Sequence, residues 1–140
     1  MKSENAIYTG FEFEAEGYPA LAIINSDLKG LEDKSAYPYS VFIELVPDTY
    51  NENGHPEAEE YDYLTDIEKK IIAYLESETQ SLHVGHTTVY RARQVIFYTH
   101  DKEVVEDFLE YFLSTVERAT SFEIEYDPEW EHVSGFYELL

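Results

Sequence analysis

The alternation of hydrophobic and polar residues near the N-terminus predicts two strands joined by a turn. Phe11 and Phe13 alternate with glutamates, and this period of two is typical of a half-buried strand. The run from Ala20 to Asn25 is almost continuously apolar, which is typical of a strand that is buried on both faces. Glu16-Gly17 lies between the two segments and supplies the turn.

The rest of the chain predicts four more strands and two helices. A third strand lies in YPYSVFIELVPD and ends at Pro47, since proline cannot donate to a sheet. Apolar residues recur at intervals of three and four from about Glu57 to Ser77, the spacing of an amphipathic helix. The later elements are a hairpin with strands near Ser81 to Tyr90 and Arg93 to Thr99, a helix capped by Asp101, and a final strand in SFEIEYDP.

The predicted order of elements is βββαββαβ, which places the chain in the α+β class. From the third strand onward this order matches the ferredoxin-like βαββαβ unit. We therefore expect one domain over residues 1–140, with an antiparallel sheet, two helices on one face and an extra N-terminal hairpin. The other face of the sheet would be open to solvent, to a ligand or to a second copy of the chain in a homodimer.

The chain is strongly acidic but has the composition of a folded protein. Its 140 residues include 30 Asp plus Glu against 9 Lys plus Arg, a formal net charge of −21, and 16% are aromatic. An aromatic content at this level argues against a disordered acidic tail. The charge opposes direct binding to nucleic acid and to anionic membranes, and it favours a basic protein as the partner.

The sequence also lacks the features of several functional classes. Without cysteine the chain has no disulfide, no thiol nucleophile and no Cys-based zinc site. The first ten residues contain no apolar stretch, and no segment approaches the roughly 20 apolar residues of a membrane span, so we expect a cytoplasmic protein. No P-loop, G-x-G-x-x-G or G-x-S-x-G motif is present, and we predict neither a cofactor nor catalytic residues.

The segment HVGHTTVYRARQVIFYTH contains no carboxylate, although the chain is so acidic. Within it Arg91 and Arg93 are two apart, so in an extended strand they would project to the same side. Two interpretations are open. The arginines pair with carboxylates on neighbouring strands, which we favour, or they hold an anionic ligand with His86 or Tyr98 nearby.

The histidines of the same segment are not expected to bind a metal. His83 and His86 are three apart, and residues at an odd separation in a strand point to opposite faces of the sheet. Zinc requires three or four ligands that converge on one point. We therefore predict no metal site.

Large aromatic residues are concentrated after the last strand. Pro128 ends that strand, and Trp130, Phe136 and Tyr137 follow it. Because burying one such side chain is worth about 1.5–3 kcal/mol or more, we expect the tail to fold back on the domain with Trp130 as its anchor. The alternative is that these aromatics form an exposed contact for a partner, where Trp and Tyr are enriched.

Five short motifs occur in order along the chain. They are a G-x-P-x-x-E-E entry to a helix, an L-x-x-I-E helix core, a V-G-x-x-T strand, an R-x-x-x-F-Y strand and a closing D-x-x-W. The residues are Gly54, Pro56, Glu59 and Glu60; Leu64, Ile67 and Glu68; Val84, Gly85 and Thr88; Arg93, Phe97 and Tyr98; and Asp127 and Trp130. In this order, and over about Tyr8 to Tyr137, the chain resembles the uncharacterised bacterial family known as domain of unknown function 695. We expect structural roles for Gly85, Phe97 and Trp130.

The resemblance implies a fold but no established activity. In some bacterial proteins this type of domain lies beside one similar to the ribonuclease E inhibitor, regulator of ribonuclease activity B, which is also small, acidic and ferredoxin-like. With the net charge of −21, this favours a non-enzymatic regulatory domain that binds a basic protein, such as a nuclease or an RNA-processing factor. The alternatives are an immunity protein against a basic nuclease toxin, and a binder or enzyme for a small anionic ligand held at Arg91 and Arg93.

Overall fold

In the computed structural model, which describes residues 3–140, the chain forms one six-stranded sheet with three helices. The strands are β1 (Tyr8–Ala15), β2 (Tyr18–Asn25), β3 (Tyr39–Val46), β4 (Ser81–Val89), β5 (Ala92–Thr99) and β6 (Ala119–Tyr126). The helices are α1 (Ala58–Glu78), α2 (Lys102–Leu113) and the short α3 (Ser134–Glu138). The first two residues of the predicted domain lie outside the described residues.

All strand pairings are antiparallel, and the order across the sheet is β1-β2-β4-β5-β3-β6. The predicted α+β class and the antiparallel sheet are therefore confirmed. Strands β1 and β2 are joined by the two-residue turn Glu16-Gly17, in which both residues have positive φ. Gly17 adopts that conformation without the steric cost that a side chain would bring. Strands β4 and β5 occupy the centre, whereas β1 and β6 are the edges.

Helices α1 and α2 pack on the same face of the sheet and build a hydrophobic core with β3 and β5. Leu64, Ile71 and Leu75 of α1 and Leu109 of α2 are fully buried there, together with Ile43 of β3. The helix positions are those that the three- and four-residue spacing predicted. Among residues 3–140, no helix is both long and apolar enough to cross a membrane.

The opposite face of the sheet is partly covered, which corrects the expectation of an open face. A second core joins Ile24 of β2 and Ile96 of β5 to Leu28 and Val133. Leu28 lies in a short 3-10 helix after β2, and Val133 lies in the tail after β6. The part of this face formed by β3 and β6 stays accessible, so a second copy of the chain would have to contact it there.

Trp130 fixes the tail to the sheet. Its side chain is 1% exposed and stacks on Tyr98 of β5, with ring centroids 4.2 Å apart. The indole Nε1 donates to the carbonyl oxygens of Lys34 and Tyr37, at 3.2 and 3.0 Å, so its one polar atom is satisfied. The side chain therefore joins the tail, the segment before β3 and the central strand.

We expect Trp130→Ala to lower the free energy of unfolding by about 3–5 kcal/mol, the typical cost of emptying a buried aromatic site. Urea denaturation followed by circular dichroism measures the loss. Tyr111→Ala is the control, because Tyr111 is 72% exposed and its truncation should change stability by less than about 0.5 kcal/mol. An unchanged unfolding midpoint in the Trp130 variant would contradict the anchoring role.

Candidate functional site

The two arginines of the β4–β5 hairpin do not form a joint site, contrary to the prediction that they project to the same side. Arg91 lies in the two-residue turn Tyr90-Arg91, is exposed and has a φ of 62°. Its guanidinium lies over the ring of Tyr50, 4.8 Å from the centroid. Arg93 lies in β5 and is fully buried. The prediction failed because Arg91 is a turn residue and does not follow the alternation of a strand.

Arg93 belongs to a buried polar cluster centred on Glu68 of α1. Nη1 of Arg93 donates to Glu68 Oε1 at 3.2 Å and to Thr65 Oγ1 at 3.1 Å. Nε2 of His83 lies 2.9 Å from Glu68 Oε2, and Nδ1 of His86 lies 2.9 and 3.0 Å from the two carboxylate oxygens. The internal partner of Arg93 is therefore a helix residue rather than the expected carboxylate on a neighbouring strand.

A β-bulge in β4 brings His83 and His86 to the same face, which corrects the prediction that they point apart. The register with β5 shifts between His83 and Gly85. The bulge adds one residue to β4 without advancing its pairing with β5. His83 and His86, three apart in sequence, therefore face the same side of the sheet, as residues two apart do in a regular strand. Gly85 has a φ of 145°, and a Cβ there would lie 1.9 Å from the carbonyl oxygen of Ile23. Glycine is therefore required for β2 to approach β4.

The hydrogen bonds define the charge state of the cluster. Burial alone would raise the pKa of Glu68, but the hydrogen bonds from His83 and His86 outweigh it and hold the pKa at about 2. An ionised carboxylate only accepts hydrogen bonds, so the facing nitrogens of His83, His86 and Arg93 all donate. When Nε2 of His83 carries the ring hydrogen, Nδ1 is an acceptor. It accepts a hydrogen bond from the hydroxyl of Tyr8, with an O–N distance of 2.7 Å.

Two guanidinium nitrogens of Arg93, Nε and Nη2, are buried without a hydrogen-bond partner among the described residues. The guanidinium lies over the ring of Tyr61, 5.0 Å from the centroid. The electron-rich ring face partly compensates for the hydrogen bonds that these N–H groups lack. Because Arg93 is fully buried, these N–H groups do not face a solvent-borne anion.

Tyr98, another candidate ligand residue, lies on the face of the sheet opposite His86. Its hydroxyl donates to Asp127 Oδ2 at 2.6 Å, and the same carboxylate accepts from the backbone amides of Glu131 and His132. Burial and the bond to Asp127 raise the pKa of Tyr98. Tyr98 thus ties the tail to the sheet and does not share a ligand site with His86.

The residues expected to be structural all lie in the interior. Trp130 holds the tail, and Gly85 occupies the bulge. Phe97 is fully buried in the core beneath the two long helices, and its ring centroid lies 4.9 Å from that of His83. The ring of Phe97 therefore supports one side of the Glu68 cluster.

A cavity of about 180 Å³ lies beside this cluster. Ile23 of β2, Ile72 and Lys69 of α1, and His86 are among the residues that line it. His86 contacts Glu68 through Nδ1, and the accessible surface of the cavity is almost entirely apolar. Within residues 3–140, no group of three or more His, Cys, Asp or Glu side chains has an arrangement that could hold a metal ion.

The accessible half of the other sheet face is acidic. We define the acidic face as Phe42 and Glu44 of β3 with Glu123 and Glu125 of β6. Phe42 pairs directly with Glu123, and a cleft of about 170 Å³ is lined by Phe42, Glu44 and Glu123. In the described part of the chain neither Glu44 nor Glu123 forms an ion pair, and Glu125 has one long contact, 3.8 Å to His132 Nε2.

Glu68 is the central residue that the sequence prediction missed, although a signal for it exists. The buried apolar residues Leu64, Ile71 and Leu75 follow helical spacing, and Glu68 falls on the same stripe. A carboxylate at such a position is rarely buried without a partner. Glu60 lies two turns before Glu68 on this stripe and forms a two-fold contact with Arg118, with both N–O distances 2.8 Å.

Comparison with known proteins identifies a family without giving a function. A family model described as "Family of unknown function (DUF695)" matches residues 10–137, which confirms that resemblance. No curated protein and no solved structure matches the chain significantly. The motif residues that carried the resemblance include both partners of the Glu68–Arg93 pair and both partners of the Tyr98–Asp127 pair.

We expect Glu68→Gln to destabilise the protein by about 3–5 kcal/mol at neutral pH, because it leaves the charge of Arg93 buried and unpaired. The pKa of Glu68 is lowered from 4.5 to about 2 by folding. Its contribution to stability is therefore present above pH 4.5 and is lost as the pH falls from about 4.5 towards 2. In urea denaturation, the difference between wild type and variant should shrink over this pH range.

The matched control is Glu78→Gln, at the exposed end of the same helix. That variant should show no loss of stability and no pH-dependent difference from wild type. An equal destabilisation by Glu68→Gln at pH 7 and at about pH 3 would mean that ionised Glu68 is not the centre of the cluster.

Gly85→Ala should cost more than about 3 kcal/mol, because the clash is with a backbone carbonyl and the φ is one that side chains rarely adopt. Chemical denaturation gives the loss, and amide exchange should show β2 and β4 opening. Gly30→Ala is the control, since no atom lies within 4 Å of a Cβ built at Gly30. A fully stable Gly85→Ala protein would refute the close approach of the two strands.

Proposed function

The chain belongs to the DUF695 family, whose function is unknown, and we propose that it is a non-enzymatic domain that binds a basic protein through the acidic face. One observation carries this proposal. The carboxylates of Glu44 and Glu123 have no cationic partner in the described residues and flank a partly exposed aromatic ring, Phe42, beside an edge strand. Unpaired like charges that line one cleft repel each other, and a cation from outside would relieve the repulsion.

The rest of the charge distribution supports this assignment. The buried carboxylates Glu60, Glu68 and Asp127 all have donors inside the protein. Arg93 and Arg118, two of the three arginines, are used for Glu68 and Glu60. Few cations therefore remain to neutralise the exposed carboxylates of a chain whose net charge is −21.

The cleft of the acidic face also supports a basic partner by the contacts that it offers to a cationic side chain. A Lys or Arg that enters the cleft would lie against the ring of Phe42, which favours cations. Glu44 and Glu123 would accept charge-assisted hydrogen bonds from it. Because β6 is an edge strand, its outer backbone groups are also available to an extended segment of the partner.

We further propose that the fold is a ferredoxin-like variant and that the partner is a cytoplasmic nuclease or RNA-processing protein. For the fold, the βαββαβ part of the chain has the sheet order β6-β3-β5-β4, and the β1–β2 hairpin adds to β4. For the partner, the support is the analogy that the sequence suggests with the small, acidic ribonuclease E inhibitor, an analogy at the level of fold. An immunity protein against a basic nuclease toxin would use the same surface, and a toxin gene next to this one would favour that alternative.

An anion held between Arg91 and Arg93 is not part of the proposal. Arg93 is buried in the Glu68 cluster, and Arg91 lies in the turn against Tyr50. The two guanidiniums therefore have no common accessible space in which to meet one ligand.

A charge-neutralised variant of the acidic face tests the proposed function. We expect the wild type to capture a basic protein at low salt and the variant Glu44→Gln/Glu123→Gln/Glu125→Gln to lose it. The association rate of the two proteins should also fall in the variant, because charge steering is removed. Capture from the native lysate identifies the protein, and interferometry with both purified proteins measures the rate.

The control removes the same charge from an exposed surface elsewhere, as Glu103→Gln/Asp107→Asn/Glu110→Gln on α2. When the rates are measured at physiological salt, this variant should keep most of the binding, because a surface charge then acts over only about 8–10 Å. Equal losses in both variants would indicate a general charge effect, and binding that is independent of salt would refute charge steering.

A further inference from the structure

The edge of the sheet beside the acidic face points to the form of the partner. We infer, resting on the proposed function, that the basic protein binds by adding a strand to β6. The added strand is an extended segment in which Lys or Arg alternates with apolar residues, and it runs antiparallel to β6. Its cationic side chains stand opposite Glu123 and Glu125, and its apolar side chains stand opposite Phe122 and Ile124.

The outer edge of β6 has free backbone groups at every second residue. The N–H of Asp127 donates to the carbonyl oxygen of Pro38 at 2.7 Å, which continues the antiparallel register of β6 with β3. Hydrogen-bonded and non-hydrogen-bonded pairs alternate in such a register. The residues two and four positions before Asp127 are therefore bonded to β3, whereas the N–H and C=O groups of Phe122 and Ile124 point away from the sheet.

This edge lacks several of the features that protect an edge strand from pairing. Such strands are commonly blocked by proline, by lysine or by a bulge. The sequence of β6, ATSFEIEY, contains neither proline nor lysine, and each of its residues pairs with one residue of β3 without a shift. The edge is therefore regular enough to accept a further strand.

The side chains of β6 determine which strand fits. Glu123 and Glu125 are exposed on the acidic face, and the residue between them is apolar. Relative to an added antiparallel strand, these glutamates lie in non-hydrogen-bonded pairs, in which opposed side chains approach most closely. Opposite charges at directly opposed positions stabilise a pair of strands. The added strand therefore carries a cation at every second residue.

The other face of the edge accepts the apolar side chains of the added strand. Phe122 and Ile124 are partly buried against the core beneath α2, so part of their surface remains to be covered. A cleft of about 330 Å³ between α2 and β6 is lined by Leu113 and Phe122, and also by the polar residues Glu110 and Ser114. Side chains such as Leu, Val or Thr therefore suit this side.

A second copy of the chain does not meet these requirements. In an antiparallel pairing of β6 with β6, the glutamates of both copies lie on the same face of the extended sheet. Like charges that oppose each other destabilise such a pairing. A basic segment of another protein is therefore the occupant that the edge favours.

The test uses the peptide acetyl-Thr-Leu-Lys-Leu-Lys-Leu-Thr-amide with the full chain, followed by amide NMR and hydrogen exchange. In the free protein the N–H groups of Phe122 and Ile124 should exchange rapidly, and we expect the peptide to protect both. The matched control, acetyl-Thr-Lys-Lys-Leu-Leu-Leu-Thr-amide, has the same composition but places one lysine on each face. It should bind about tenfold more weakly.

N-methylation of the peptide separates strand addition from charge contact alone. Opposite Phe122 and Ile124, the N–H groups of the last two leucines point at β6, whereas those of the lysines point away. Methylating these two leucine nitrogens should weaken binding about tenfold or more, because two hydrogen bonds are lost. Methylating the two lysine nitrogens should change the affinity less than about twofold.

Several outcomes would overturn the added strand. They are equal affinities of the two methylated peptides, equal affinities of the alternating and the control peptide, or a complex in which Phe122 and Ile124 still exchange rapidly. Protection of these amides at high protein concentration without peptide would assign the edge to a second copy instead. The proposed function survives these outcomes if capture of a basic protein still requires the carboxylates of the acidic face, and it fails separately if the charge-neutralised variant captures that protein as the wild type does.

Discussion

The centre of the molecule depends on the ionised carboxylate of Glu68, which is buried between α1 and the sheet. An interior charge costs several kcal/mol unless it is paired and fully hydrogen-bonded. The donors come from two histidines of β4 and one arginine of β5, so α1 can occupy only one position along these strands. Two histidines at an odd separation can reach one carboxylate only because β4 contains a bulge. Gly85 permits that bulge and also the close approach of β2.

The same constraint explains why the central hairpin carries no carboxylate. On the face beneath α1, its polar side chains His83, His86 and Arg93 donate to Glu68, and a second carboxylate there would repel the first and compete for its donors. On the other face, Tyr98 donates to Asp127 of the tail. The central strands therefore supply the donors, and the flanking helix and tail supply the acceptors. The change in composition along the chain reflects this division between the layers of the fold.

The features that could be predicted from the sequence are those that depend on residues close together along the chain. The strands, the helices and the α+β class arise from local periodicity, and residues such as Leu64 and Ile71 reveal it directly. The bulge depends on a one-residue shift between two strands, and Gly85 gives only a weak local signal for it. The turn at Tyr90-Arg91 lacks an Asn-Gly or Asp-Gly pair, so the strand limits could be wrong by one residue. Arg91 already lay between the two predicted strands, and the error was to apply the alternation of a strand to a turn residue.

The internal ion pairs also determine where the net charge of the protein lies. Arg93 with Glu68 and Arg118 with Glu60 are neutral as pairs, so the interior adds little to the external field and nearly all of the net charge of −21 lies on the surface. Only counterions or a bound cationic partner can relieve that repulsion, so a basic protein on the acidic face would also stabilise the fold.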